Sequence, residues 1–205
     1  MIKTALFLCL SLLLGGCASD LKLSAFDASV KNKPISQVVL LQLPGSSYPM
    51  HHNIVAVKTY DFPTLCINAL EKVVQSKRKG WKLIPPSTAV AADPEISRLI
   101  PLDQQAQRDL PPEVKEEMKK DGALLETCHF MAIEAISVKD VGTPQAPGLL
   151  VVGVCLQIWD FQEGKLVYRA RNTTRPINYV EKDFTDKADD ALFDLFRELL
   201  SPLPQ

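Results

Sequence analysis

Excess charge is what this chain has least of. Its 23 lysines and arginines face 24 aspartates and glutamates, a net charge of −1 over 205 residues. A protein that grips nucleic acid by its phosphates normally shows a basic stripe, so no nucleic-acid partner is expected. The same balance leaves no polybasic patch for anionic lipid headgroups. Motifs that carry chemistry are missing as well. No G-x-S-x-G elbow, phosphate loop, dinucleotide fingerprint or H-E-x-x-H pair occurs, so neither an enzyme nor a cofactor is expected. Histidine is scarce: His51-His52 form one pair, and His129 follows Cys128. Zinc sites normally show paired ligands at short, repeated spacing. These residues do not, and no metal is expected.

Past residue 16 no apolar run approaches the ~20 residues that span a bilayer. The one conspicuous run is at the amino terminus. Met1-Ile2-Lys3 makes a short basic start, and Ala5 to Leu14 is almost unbrokenly apolar. Its length and flanks fit a signal-peptide core, so residues 1–16 read as a leader. Leu14-Gly15-Gly16-Cys17 then closes the run. These four residues resemble a lipobox, and the chain is thereby similar to bacterial lipoproteins. The resemblance implies cleavage before Cys17 and acylation of that cysteine, palmitate included. The membrane partner is then reached through acyl chains, at ~0.8 kcal/mol per buried methylene. Ala18, where aspartate would retain the protein at the inner membrane, implies the periplasmic face of the outer membrane in a two-membrane organism.

Cys9 leaves with the leader and Cys17 is blocked, so Cys66, Cys128 and Cys155 remain. An odd number in an oxidising compartment leaves room for one disulfide. Each sits inside an apolar element, where free cysteine behaves as a small hydrophobe, and this favours three buried thiols.

Residues 17–33 read as the lipidated cysteine and a polar tether, and 34–205 as one periplasmic domain. Val38 to Leu43 is a buried strand closed by Pro44-Gly45, and Ile54 to Val57 a possible short one. Asp61 and Pro63 open a helix whose face is Cys66, Ala69, Leu70 and Val73. Lys77 to Lys79 complement its dipole, and Gly80 is expected as a left-handed stop. Trp81 to Ile84 reads as a strand. Pro85 to Pro112 is a proline-rich insert in which a short helix starts after Asp93, and a second helix runs from Pro112 to Lys120. Three antiparallel strands come next, at about Thr127 to Val138, Leu149 to Trp159 and Lys165 to Thr173. A loop of Gln162, Glu163 and left-handed Gly164 pairs Ile158 with Tyr168, so that the core faces agree. A Lys139 to Gly148 connection sets Val138 opposite Leu149 and Cys155 opposite Ala132. Phe184 to Leu200 is a final amphipathic helix. The expected fold is α/β (α+β): a two-layer sandwich of a mixed sheet ending in three antiparallel strands, with helices on one face.

The stretch Val151 to Ala170, VVGVCLQIWDFQEGKLVYRA, and Asp121-Gly122-Ala123 before a strand resemble the curli-exporter and TolB amino-terminal-domain group of envelope proteins. That group includes lipoprotein activators of peptidoglycan synthases. The resemblance covers about half of the mature chain and implies an assembly or regulatory role. It does not extend to the exporter's barrel hairpins or to TolB's propeller, so a secretion pore is not implied.

Register places Phe130, Ala132, Glu134, Ile136, Gln157, Trp159, Val167, Arg169 and Arg171 on the sheet face away from the helices. Trp and Arg are enriched at binding hot spots. Phe130, Glu134, Gln157, Trp159, Val167, Arg169 and Arg171 are therefore the candidate surface for an envelope protein partner. The alternative is that the insert or the tether covers that face, since exposed apolar patches on monomers are small. Two other functions stay open. A hydrolase would bring His51, His52 or Cys128 to a carboxylate, and a carrier of a lipid or small hydrophobic ligand would enclose an apolar cavity.

Overall fold

A computed structural model describes residues 21–28, 30, 35–41, 60–84, 129–160, 163–180 and 182–204. The expected leader, Cys17, the Ile54 to Val57 segment, the proline-rich insert and Cys128 lie outside the described residues.

The elements follow the sequence pattern closely. They are β1 (Lys22–Phe26), β2 (Gln37–Leu41), α1 (Phe62–Lys77), β3 (Lys82–Ile84) and β4 (His129–Asp140). Then come β5 (Leu149–Asp160), β6 (Lys165–Thr173), β7 (Ile177–Asn178) and α2 (Phe184–Leu200). One seven-stranded sheet runs β1-β6-β5-β4-β2-β3, with β7 paired to β5 beyond the end of β6. β2 pairs in parallel with β3 and β4, and the other pairs are antiparallel. This is the expected α+β sandwich with a mixed sheet.

Parallel neighbours need a crossover, and between β2 and β3 the chain includes α1. The Asp61 carboxylate accepts from the Thr64 backbone N–H at 3.2 Å and from its hydroxyl at 2.7 Å, capping the helix. Cys66, Ala69, Leu70, Val73 and Val74 are buried. α2 buries Phe184, Ala188, Ala191, Leu192, Leu195, Phe196, Leu199 and Leu200. The two helices join one core with Met131, Ile133, Ile136 and Val138 of β4 and the even-numbered apolar residues of β5.

Several expectations are corrected. The tether reading fails for Lys22 to Phe26, which forms an edge strand antiparallel to β6. Phe26 packs edge-to-face on Tyr168, at 6.2 Å between centroids, and gives this polar segment an apolar hold. Gly80 is not left-handed. Positive φ among the described glycines occurs at Gly148 and Gly164, and α1 ends when Arg78 donates its N–H to the Val74 carbonyl. The β4–β5 hairpin is longer than expected: Val138 faces Val152 and Asp140 faces Leu150, so Cys155 faces Ala135. Asp160, rather than Phe161, pairs with Lys165. Gly164 has φ +61°, and Ile158 does pair with Tyr168.

The register slips in β1, β4 and β6, and the last two move residues of the expected surface. At Glu134 the β4 register slips between Ile133 and Ala135. An extra residue reverses the alternation, so Ile136 turns into the core opposite Val154 instead of facing away. At Val167 the β6 register slips likewise. Leu166 then faces Trp159, and Val167 joins the main core.

Candidate functional site

The residues of β4, β5 and β6 that face away from the helices meet in one polar network centred on Glu134. Its bulged position lets one carboxylate reach both neighbouring strands. Arg169 forks onto it, with Nε 2.7 Å from Oε2 and Nη2 donating to Oε1. Gln157 Nε2 donates to Oε2 at 2.9 Å, as does the Cys155 thiol at 2.9 Å. Trp159 extends the chain, its indole N–H donating to Gln157 Oε1 at 3.0 Å. These donors thus converge directly or through Gln157 on one anion. Such a saturated arrangement lets polar groups leave water without an orphaned partner.

They do leave water, which corrects the expectation of an open face. Trp159 is 1% exposed, Gln157 2% and Glu134 3%. Val167 is equally buried, in the helix-side core. The Arg169 side chain is mostly buried and Arg171 is exposed opposite Cys155. Phe130 is the strand partner of Trp159, and its side chain lies outside the described residues. The structure therefore brings Glu134, Gln157, Trp159 and Arg169 together as an internal strut. Cys155 belongs to the strut too. Its signal in the sequence was its place opposite Arg171, two residues along from the Gln157–Arg169 pair.

The chemistry of this cluster is restrained. Burial, then the hydrogen bond and charge of Glu134, push the Cys155 thiol up to about 12. Burial alone pushes Cys66 up to about 12. The thiolate is the nucleophile, so neither sulfur is primed for attack. Both are free thiols. In the native protein at pH 8, peptides carrying Cys66 and Cys155 are expected to resist a thiol reagent, and to label fully in denaturant. Rapid native labelling of either, read by mass spectrometry, would contradict their burial. The sign for stability is fixed as well. The unfolded thiols ionise near 9.0 and the folded ones near 12. Their contribution is full below about pH 9 and is lost as pH rises toward 12.

A second polar pair, His129 and Asp160, closes the other end of β4 and β5, with Nε2 3.8 Å from Oδ2 and both residues buried. Among the described residues no group of three or more His, Cys, Asp or Glu is placed to hold a metal. His51, His52 and Cys128, on which a hydrolase reading depends, lie outside them. The helices border an open groove of about 370 Å³, lined by Leu65, Glu71, Lys72, Asp186 and Asp189 among others. Its walls are charged and it is open to water, unlike the enclosed apolar cavity of a carrier. Lys72 and Asp189 bridge it at 2.5 Å. No helix among the described residues is long and apolar enough to cross a membrane.

No family model matches the sequence, and no curated protein does. Among solved structures the chain is similar to the PelC dodecamer from Paraburkholderia phytofirmans, at 12% identity over 91% of this chain and 99% of that one, with a TM-score of 0.44. A single-substitution variant of that dodecamer gives 12% identity, 90% and 96% coverage and a TM-score of 0.43. A neuraminyllactose-binding hemagglutinin homolog from Helicobacter pylori gives 12%, 83%, 81% and 0.35. With TM-scores below 0.5, these likenesses decide nothing about what the chain does.

Proposed function

We propose that this chain is a lipoprotein, anchored through Cys17 at the periplasmic face of the outer membrane, that serves a cell-envelope complex as a non-catalytic assembly or regulatory factor. The observation that carries the reading is Leu14-Gly15-Gly16-Cys17 closing a short apolar run. That run is too short to span a bilayer, and it ends on a nucleophile that takes lipid. The buried polar groups support the second half of the reading. Glu134, Cys155, Gln157 and Arg169 satisfy one another, and the thiol's raised pKa removes its nucleophile. What they build is a stiff sheet suited to presenting a surface.

Cys17→Ser is expected to abolish labelled-palmitate incorporation and to leave an uncut precursor. Gentle detergent extraction of the wild type is expected to bring down envelope proteins that the mutant loses. A mutant that still labels and matures normally would overturn the anchor. Turnover of an envelope substrate by the purified protein would overturn the non-catalytic role.

A further inference from the structure

We infer that the β4–β5 hairpin tip, with Val141 and Val180 at its surface, is a membrane-contacting end that rests on the lipid bilayer. The inference depends on the Cys17 anchor proposed above, and it follows from where the anchored chain enters the fold. β1 is antiparallel to β6 and β6 to β5, so β1 and β5 run in the same direction. β5 starts at the hairpin tip with Leu149 and runs away from it. The amino-terminal end of β1 therefore points toward the tip.

Distance then limits the orientation. Lys22 is level with Arg171, and Arg171 with Cys155. From Cys155 back to Leu149 the strand rises about 20 Å. The chain from Cys17 to Lys22 spans at most about 18 Å when fully extended. A lipidated Cys17 reaches no farther than the level of the tip. With the strands upright on the membrane, the tip cannot be held clear of the bilayer.

The surface at that end suits the contact. Val180 is 71% exposed and Val141 40%. The third large hydrophobic exposed among the described residues, Leu23 at 49%, sits beside the entry of the tether. The tip is held in shape. Gly148 has φ +79°, its carbonyl accepts from Tyr179 N–H at 2.9 Å, and Val141 N–H donates to Leu149 at 2.9 Å. Val180 Cγ2 lies 2.4 Å from where a Cβ on residue 148 would be. Only glycine lets this valine sit over the turn. Tyr179, half-buried and donating its hydroxyl to Asp140 at 3.1 Å, adds a ring with a polar end, a type enriched at membrane interfaces. The contact this surface offers is a shallow apolar one.

The test uses the full lipidated protein in phosphatidylethanolamine–phosphatidylglycerol vesicles with acyl-brominated lipid. Val180→Trp and, separately, Val141→Trp place an indole at the tip, while Lys165→Trp places one at the opposite end of the sheet. The native Trp81 and Trp159 are buried and give a constant background. An indole seated roughly 5–10 Å into the headgroup–acyl boundary is expected to lose about half its emission, and the Lys165→Trp indole none. Flotation of the vesicles is read in parallel. If the proteins float but tip and Lys165 indoles quench alike or not at all, the anchor stands and the orientation falls. If a tip indole is shielded and sedimentation shows a dimer, a second copy occupies the tip and the inference falls. If wild-type protein does not float, the anchor itself fails, and the orientation with it.

Discussion

Glu134→Ala is expected to destabilise the domain by about 3–5 kcal/mol, the range for removing one partner of a buried ion pair. The carboxylate is the common acceptor for Arg169, Gln157 and Cys155. Truncating it leaves a mostly buried guanidinium facing the vacated space and an amide donor without its acceptor. Against a typical domain stability of roughly 5–15 kcal/mol this is a large fraction. Urea unfolding with linear extrapolation reads it directly. Glu134→Gln keeps an acceptor and the volume but removes the charge, and is expected to fall between wild type and alanine. The double variant Glu134→Ala, Arg169→Ala removes both charges, so it is expected to lose less than the sum of the single losses. A single-variant loss below about 1 kcal/mol, the level of an exposed pair, would mean that Arg169 is solvated and that the strut does not hold the three strands together.

The same residue shows how much of the site was legible. Period-two alternation gave β5 and β6, and the Ile158–Tyr168, Gln157–Arg169 and Cys155–Arg171 pairs follow from matching their apolar faces. That matching put Glu134, Gln157, Trp159 and Arg169 on one face. It did not show that the face is buried, because alternation records which residues share a side and not what lies against it. Nor did it reveal the bulges of β4 and β6. A mark of the first is present all the same: after Phe130, the large apolar residues of β4 are Met131 and Ile133, then Ile136 and Val138. Their phase slips by one at Glu134. The second bulge at Val167 leaves no such trace, since Leu166, Val167 and Tyr168 are apolar in a row. Both helices were legible because their apolar faces repeat over four turns or more. β1 was not. It is five residues long, lies on a sheet edge, and starts from a lysine that an edge strand tolerates.

Arg78 is the residue whose role the pattern disguised. In sequence it ends α1, where a cation complements the helix's own dipole. In the fold it turns away and serves the carboxyl end of the other helix. Its Nη1 donates to the Leu203 carbonyl at 3.0 Å and the Pro204 carbonyl at 3.1 Å, and Nη2 donates to the Leu200 carbonyl. The Tyr168 hydroxyl takes the neighbouring Leu199 carbonyl, so the last turn of α2 is tied to both α1 and the sheet. Burial lowers the Arg78 pKa from its usual value, yet an arginine remains charged, and the guanidinium also lies 5.5 Å from the Trp81 ring. Four carbonyls at a helix end have no partner of their own; a buried end must find one. Arg78→Ala removes three charge-assisted bonds, each worth about 1.5–3 kcal/mol in isolation and far from additive together. The expected net loss is about 3 kcal/mol, which in a domain of this size lowers Tm by roughly 6–12 °C. Arg78→Lys keeps the charge but cannot fork across three acceptors, and is expected to recover less than half of the loss. Hydrogen exchange localises the effect: amides in the last two turns of α2 should open first in the alanine variant, while those at its Phe184 end keep wild-type protection. Uniform protection along α2, with an unchanged Tm, would show that the two helices are held together by their apolar faces alone.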